Sequence, residues 1–203
     1  MGEKKIIINI GRQFGSGGKQ IAMTLGQKLG IKVYDNELIA EASEKSGFSK
    51  SLLQRSDENR SLFSFSSFFS SDRYGVVENF TSDNDMFKIQ STVIREIAEN
   101  GSAIFVGRCS DYILRDMDCL DVFITAPAEE RIKRVTERLG VTPEQAESIC
   151  KKKDRSRETY YNYFTLGNWG VASNYDLCID SSILGIEATA DFIITFAKME
   201  GLL

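Results

Sequence analysis

Short apolar runs alternate with stretches of helical periodicity along most of this chain. Ile6-Ile7-Ile8-Asn9-Ile10 is nearly continuous and ends at Gly11. Ile31-Lys32-Val33-Tyr34, Ala103-Ile104-Phe105-Val106, Asp121-Val122-Phe123-Ile124-Thr125 and Asp176-Leu177-Cys178-Ile179-Asp180 follow it. Runs this short, without strict alternation, read as strands buried on both faces. Between them apolar residues recur at intervals of three and four. The first helix is predicted over about 21–29. A second opens at Asn36 behind an Asp35 cap and carries Leu38, Ile39 and Ala42. Residues 48–60 read as helical with Ser49 as a cap, and 83–99 place Met86, Ile89, Val93, Ile94 and Ile97 on one side. Pro127 fits the first turn of the helix after the fourth strand. Thr142-Pro143-Glu144-Gln145 reads as an N-cap, a proline at N1 and a capping-box partner. That helix is expected to run on to the basic cluster at 151–157, and the last one to follow Gly185.

Five apolar strands alternating with helices predict an α/β fold, a five-stranded parallel sheet with helices on both faces. Such sheets bind ligands beyond the carboxyl ends of their strands. Gly11, Asp35 and Arg108 each close or follow a strand, so the three are expected around one crevice.

Composition removes several functions. There is no histidine, which excludes a Ser-His-Asp hydrolase and a His-ligated metal centre. The net charge of −4 argues against a broad nucleic-acid surface. No apolar run nears the ~20 residues that span a bilayer, so no membrane partner is expected. The four cysteines lack C-x-x-C spacing, and a reducing cytoplasm is the expected location. The stretch at 61–71 is rich in serine and phenylalanine with no clear period. It reads as a mobile or interface segment, which leaves a homo-oligomer open.

The chemistry concentrates after the first strand, in Gly11-Arg12-Gln13-Phe14-Gly15-Ser16-Gly17-Gly18-Lys19-Gln20. Glycines let successive backbone amides curl around a phosphate, and the following helix adds its positive end. Lys19 stands where a lysine reaches the outer phosphates of a nucleotide, so Phe14, Gly15, Ser16, Gly17, Gly18, Lys19 and Gln20 form the candidate phosphate site. The usual pattern has glycine at position 13 and a hydroxyl at position 20; here both are glutamine. A plain strand–helix connection also uses glycine, and the loop by itself leaves that reading open.

Further motifs narrow the choice. With the loop, Tyr34-Asp35-Asn36-Glu37-Leu38-Ile39, Val106-Gly107-Arg108, Asp154-Arg155-Ser156-Arg157-Glu158-Thr159-Tyr160-Tyr161 and Asn174-Tyr175-Asp176-Leu177 together make the chain resemble the cytidylate kinase-like family of P-loop nucleoside monophosphate kinases. The resemblance covers nearly the whole chain. It implies a single kinase-type three-layer sandwich over 1–203, with an insertion at about 48–82 and a lid at about 151–172. It implies ATP as donor, a nucleoside monophosphate such as CMP or dCMP as acceptor, and Mg2+ without a dedicated protein ligand. On this resemblance Lys19, Arg155 and Arg157 are the catalytic residues, and Asp35, Arg108 and Asp154 face the acceptor. Residues two apart on a helix point in different directions, so Arg155 and Arg157 meet one phosphate only if the helix ends or bends there. Glu130, Arg131, Arg134 and Glu137 read as a solvated charged face. Cytidylate kinases carry an aspartate after the Gly-Arg pair; here Cys109 follows, either in the base pocket or packed under the next helix. Two rival readings stand beside the kinase: a nucleotide-sensing module of the same fold, and a kinase for another small molecule.

Overall fold

The central strand of the sheet is the first in the chain, a nearly continuous apolar run covered on both faces and paired along both edges. The structure, a computed structural model, describes residues 5–45 and 80–203. The helix expected at 48–60, the 61–71 stretch and most of the 48–82 insertion therefore lie outside the described residues. Strand β1 (Ile7–Arg12) is flanked by β3 (Ala103–Val106) and β4 (Leu120–Thr125); β2 (Val33–Tyr34) and β5 (Leu177–Asp180) form the edges. The order is β2-β3-β1-β4-β5 and every pairing is parallel, with Ile10 in register with Val106 on one side and Val122 on the other. All five strands expected from the sequence are present.

Helices α1 (Gly18–Leu29), α2 (Asn36–Lys45), α3 (Phe80–Asn100), α4 (Ser110–Ile113), α5 (Ala128–Leu139), α6 (Pro143–Thr165) and α7 (Ser181–Met199) complete the described elements, with a 3-10 turn at Ala172–Asn174. Ile8, Ile10, Ile104, Val122 and Ile124 pack with Ile21, Leu25, Ile193 and Ala197 of α1 and α7. On the opposite face Ile7 and Phe105 meet Ile39, Ile94 and Leu114. Burying one such side chain fully stabilises the fold by about 1.5–3 kcal/mol. Helices α5 and α6 share a third, small cluster of Val135, Ala146 and Cys150, to which Phe14 of the glycine-rich loop adds its ring.

Three boundaries differ from expectation. Helix α1 starts at Gly18, directly on the loop. The capping box forms as predicted, Gln145 N donating to Thr142 Oγ1 (3.3 Å) and Thr142 N to Gln145 Oε1 (3.0 Å). Yet α6 neither stops nor bends at the basic cluster; it continues to Thr165, since no glycine or proline interrupts it. Helix α7 starts at Ser181, and Gly185 is a kink inside it with φ 73° and ψ −178°, a backbone region nearly reserved for glycine.

The second face also buries polar groups. Asn9, 1% exposed, donates through Nδ2 to Asp121 Oδ1 at 2.8 Å. Burial pushes the Asp121 carboxyl up to about 6, against the smaller opposing effect of the Asn9 hydrogen bond. A carboxyl raised on folding contributes its stability at low pH. That contribution is lost as pH rises from the ordinary carboxylate value through about 6. Asp121→Asn keeps an acceptor for Asn9 and removes the titration. Its stability relative to the wild type is expected to improve between pH 4 and 7, by about 1–3 kcal/mol. Thermal melts of both proteins across that range check the sign; a constant difference would place the buried titration elsewhere.

Candidate active site

The glycine-rich loop takes its shape from two left-handed residues, Gly15 (φ 80°) and Gly17 (φ 82°). It is also closely covered. A Cβ on Gly15 would lie 2.8 Å from the Arg131 carbonyl oxygen, and one on Gly17 would lie 2.5 Å from Ile186 Cδ1. Gln13, where the common pattern has glycine, anchors the loop to the end of β4. Its backbone N–H donates to the Ile124 carbonyl at 3.0 Å, and its side-chain oxygen accepts from the Thr125 hydroxyl and the Ala126 amide. The departure at position 13 thus has a structural role.

Lys19 opens α1 with its ammonium exposed and 2.6 Å from Asp35 Oδ2. Asp35 Oδ1 caps α2, accepting from Glu37 N and Leu38 N, both at 3.1 Å. Burial alone would raise the Asp35 carboxyl; Lys19 and these amides outweigh it and hold it below the usual carboxylate range. Both oxygens of Asp35 are therefore engaged with the loop lysine and its own helix. Gln20 is exposed.

Helices α5 and α6 grip the loop from above. Asp154 Oδ1 accepts from Phe14 N at 2.6 Å, and its other oxygen pairs with Arg131. Arg131 also donates to the Phe14 carbonyl, and Arg134 donates to the Ser16 carbonyl and to Ser181 Oγ, both at 3.0 Å. The Phe14 ring lies near the guanidinium groups of Arg138 (5.0 Å) and Arg157 (5.4 Å), and Arg157 donates to the Arg12 carbonyl at 2.9 Å. The structure thus sets Asp154 against the glycine-rich loop, whereas the resemblance implied that it faces the acceptor. Arg131 and Arg134 are not a solvated face. Their spacing with Arg138, at i, i+3 and i+7, is the sequence signal that would have revealed a shared surface. Arg155 is exposed while Arg157 faces the loop, as an unbroken helix requires.

At the end of β3 the backbone makes three consecutive left-handed residues: Gly107 (φ 76°), Arg108 (φ 62°) and Cys109 (φ 56°). The latter two lack glycine's freedom and each costs about 1–2 kcal/mol there. Strain of this kind collects at functional sites. A Cβ on Gly107 would coincide with the Arg12 guanidinium, so Arg12, passed over in the sequence, closes the gap between loop and turn. The turn sets the Arg108 guanidinium 5.3 Å from the centre of the Tyr160 ring. Cys109 is 3% exposed, and burial, with Asp111 close by, pushes its thiol up. Cys109 is the N-cap residue of α4, its carbonyl accepting from Ile113 N at 2.8 Å.

The arrangement suits a nucleotide's phosphates: a tight glycine cradle, a helix N-terminus and a lysine at its mouth. Among the described residues no group of three or more Cys, Asp or Glu side chains forms a ready metal cage. Mg2+ that arrives on nucleotide phosphates needs few protein ligands, so the residues present fit a metal carried in by its substrate. No described helix is long and apolar enough to cross a membrane.

A parallel sheet ordered 2-3-1-4-5 with a phosphate-type loop after its central strand defines the P-loop kinase class of α/β proteins. A shikimate kinase from Bacteroides thetaiotaomicron has the same fold at 11% identity, with a TM-score of 0.53 over 95% of this chain and 98% of that one. The chain belongs to the cytidylate kinase-like family, which it matches over residues 7–183. It is 26% identical to a cytidylate kinase of Methanopyrus kandleri over 187 residues, covering 87% of this chain and 85% of that one. It is 23% identical to a cytidylate kinase of Pyrococcus horikoshii over 184 residues, covering 90% and 83%. A crystal structure of a protein from Eubacterium ventriosum superposes with a TM-score of 0.74 at 29% identity, covering 96% of this chain and 99% of that one. Family and fold together support a function of the nucleoside monophosphate kinase type.

Proposed function

We propose that this chain transfers the γ-phosphoryl group of ATP to the phosphate of a nucleoside monophosphate, with CMP and dCMP as acceptors. The observation that carries the reading is the side-by-side placement of two cationic phosphate grips. Lys19 follows β1 and Arg108 follows β3, and these strands are hydrogen-bonded neighbours.

In the proposed step an oxygen of the acceptor phosphate attacks the γ-phosphorus. The bond from that phosphorus to the β–γ bridging oxygen breaks, and ADP leaves. Such transfers rely on positioning and charge neutralisation. Residues 14–20, Lys19 among them, hold the donor phosphates, whose negative charge bound Mg2+ would help neutralise. Arg157 already lies against the loop and is suited to the transferring group; Arg155 reaches it only if α6 changes shape. Asp35 steadies Lys19, and Asp154 steadies the loop crest.

A coupled ADP-release assay across CMP, dCMP, UMP, AMP and GMP tests the reading. Nucleotide binding without turnover would favour the sensing module instead. Arg108→Lys keeps the charge and loses the planar fork that takes two phosphate oxygens at once. The acceptor KM is expected to rise by about tenfold, an interaction near 1.4 kcal/mol, with the ATP KM unchanged. Equal changes for both substrates would move Arg108 away from the acceptor.

A further inference from the structure

Gln90 sits on the inner side of α3, 1% exposed. Its Oε1 accepts from the Tyr160 hydroxyl at 3.2 Å, while its Nε2 finds no hydrogen-bond partner among the described residues. Oxygen and nitrogen of an amide are assigned from their partners. Whichever way this one is turned, Tyr160 takes one end and the other stays unpaired. Buried polar groups in native structures are nearly always satisfied, and an exception asks for an explanation.

The surroundings supply one. The Tyr160 ring has Arg108 at its face, 5.3 Å from the ring centre, and Gln90 at its hydroxyl. Beside it Phe87 and Phe164 stack with centres 4.1 Å apart, and Phe164 lies 4.8 Å from Tyr160. Leading away from the strand end, the order is a cation, a wall of aromatic rings and a lone amide. That sequence of groups matches a phosphate followed by a planar heterocycle with a hydrogen-bonding edge.

On the kinase reading above, we propose that Gln90 reads the edge of the acceptor's heterocycle and that its amide admits both cytosine and uracil. A tyrosine hydroxyl both donates and accepts, and an amide has one end of each kind. With Oε1 on Tyr160, Nε2 donates to a ring acceptor such as cytosine N3 or uracil O4. With the amide turned and the hydroxyl rotated, Oε1 accepts from the cytosine amino group or from uracil N3–H. The pair changes polarity together, so neither pyrimidine leaves it unpaired. Cys109, buried at the N-cap of α4, offers only a weakly hydrogen-bonding thiol that does not break the tie.

Steady-state kinetics on the whole chain tests this. The wild type is expected to use CMP and UMP with kcat/KM values within about tenfold of each other, less than the span one well-made base contact gives. Gln90→Glu, assayed above neutral pH where its carboxylate only accepts, is expected to keep CMP and UMP within about tenfold of each other, since the cytosine amino group and uracil N3–H both donate. Gln90→Met fills the same space without polar atoms. It is expected to keep the melting temperature and raise both acceptor KM values alike, leaving that of ATP unchanged. If Gln90→Glu fails to fold, Gln90→Met decides. Turnover with acceptor constants untouched by Gln90→Met means water alone satisfies the amide; that overturns the Gln90 assignment and leaves the kinase reading standing. A wild type that prefers one pyrimidine by a hundredfold overturns it too. If no monophosphate is turned over, the kinase reading falls and Gln90 falls with it.

Discussion

Lys19→Ala is expected to weaken ATP binding by about tenfold or more and to lower kcat/KM by roughly 10²–10³, while the chain stays folded. The asymmetry follows from where the side chain stands. The Lys19 side chain is 59% exposed and its ammonium pairs with Asp35; a pair with one well-solvated partner contributes on the order of 1 kcal/mol. Asp35 is mostly buried, its side chain 16% exposed, but it retains the two amides of its own helix, which keep its carboxylate hydrogen-bonded. Against donor phosphates the same ammonium acts in a covered, partly dehydrated cradle, where a charge–charge contact is far stronger than in water. Calorimetric titration with ATP, paired with a thermal melt, separates binding from stability. Unchanged affinity in a folded variant would remove residues 14–20 from the donor site.

Asp154→Ala is expected to act in the opposite way, mainly on stability. Arg131 and Asp154 are mostly buried, with side chains 14% and 17% exposed, and the same carboxylate satisfies the Phe14 amide. Removing it leaves a half-sequestered guanidinium and an unpaired amide at the crest of the loop. Breaking a fully buried pair costs about 3–5 kcal/mol; with some exposure remaining, about 2–3 kcal/mol is expected here. In a chain of this size that lowers the melting temperature by roughly 5–10 °C. An unmoved melting temperature with a raised acceptor KM would restore Asp154 to the acceptor side, as the family resemblance had it.

The strands and the loop were legible because their signals are local. Four or five apolar residues in a row have few alternatives to a buried strand, and Gly15 and Gly17 mark the turns that need their backbone freedom. The capping box of α6 was equally plain. What escaped was direction. Arg131 and Arg134 belong to a charged helix face that looks the same in sequence whether it meets water or the carbonyls of another loop. Asp154 was read by its motif, and only the course of α6 past residue 157 decides what it faces. The left-handed turn at 107–109 was hidden because arginine and cysteine do not advertise that conformation. Gln90 stayed out of sight within a stripe of apolar neighbours, Ile89 and Val93 among them.

The small cluster shared by α5 and α6 is too slight to keep this hairpin in place alone. Val135, Ala146 and Cys150 are its only buried members among the described residues; at this end the hairpin is also held by the loop itself, through Phe14, Asp154, Arg131 and Arg134, while the far end of α6 meets α3 and α4 through Tyr160, Tyr161 and Phe164. Such a unit opens more easily than the sheet beneath it. Its docking and the loop's readiness for a ligand then form one equilibrium, and whatever tightens one tightens the other by the same free energy. Damage on the outer hairpin would surface as weakened nucleotide affinity, with no contact to the nucleotide lost.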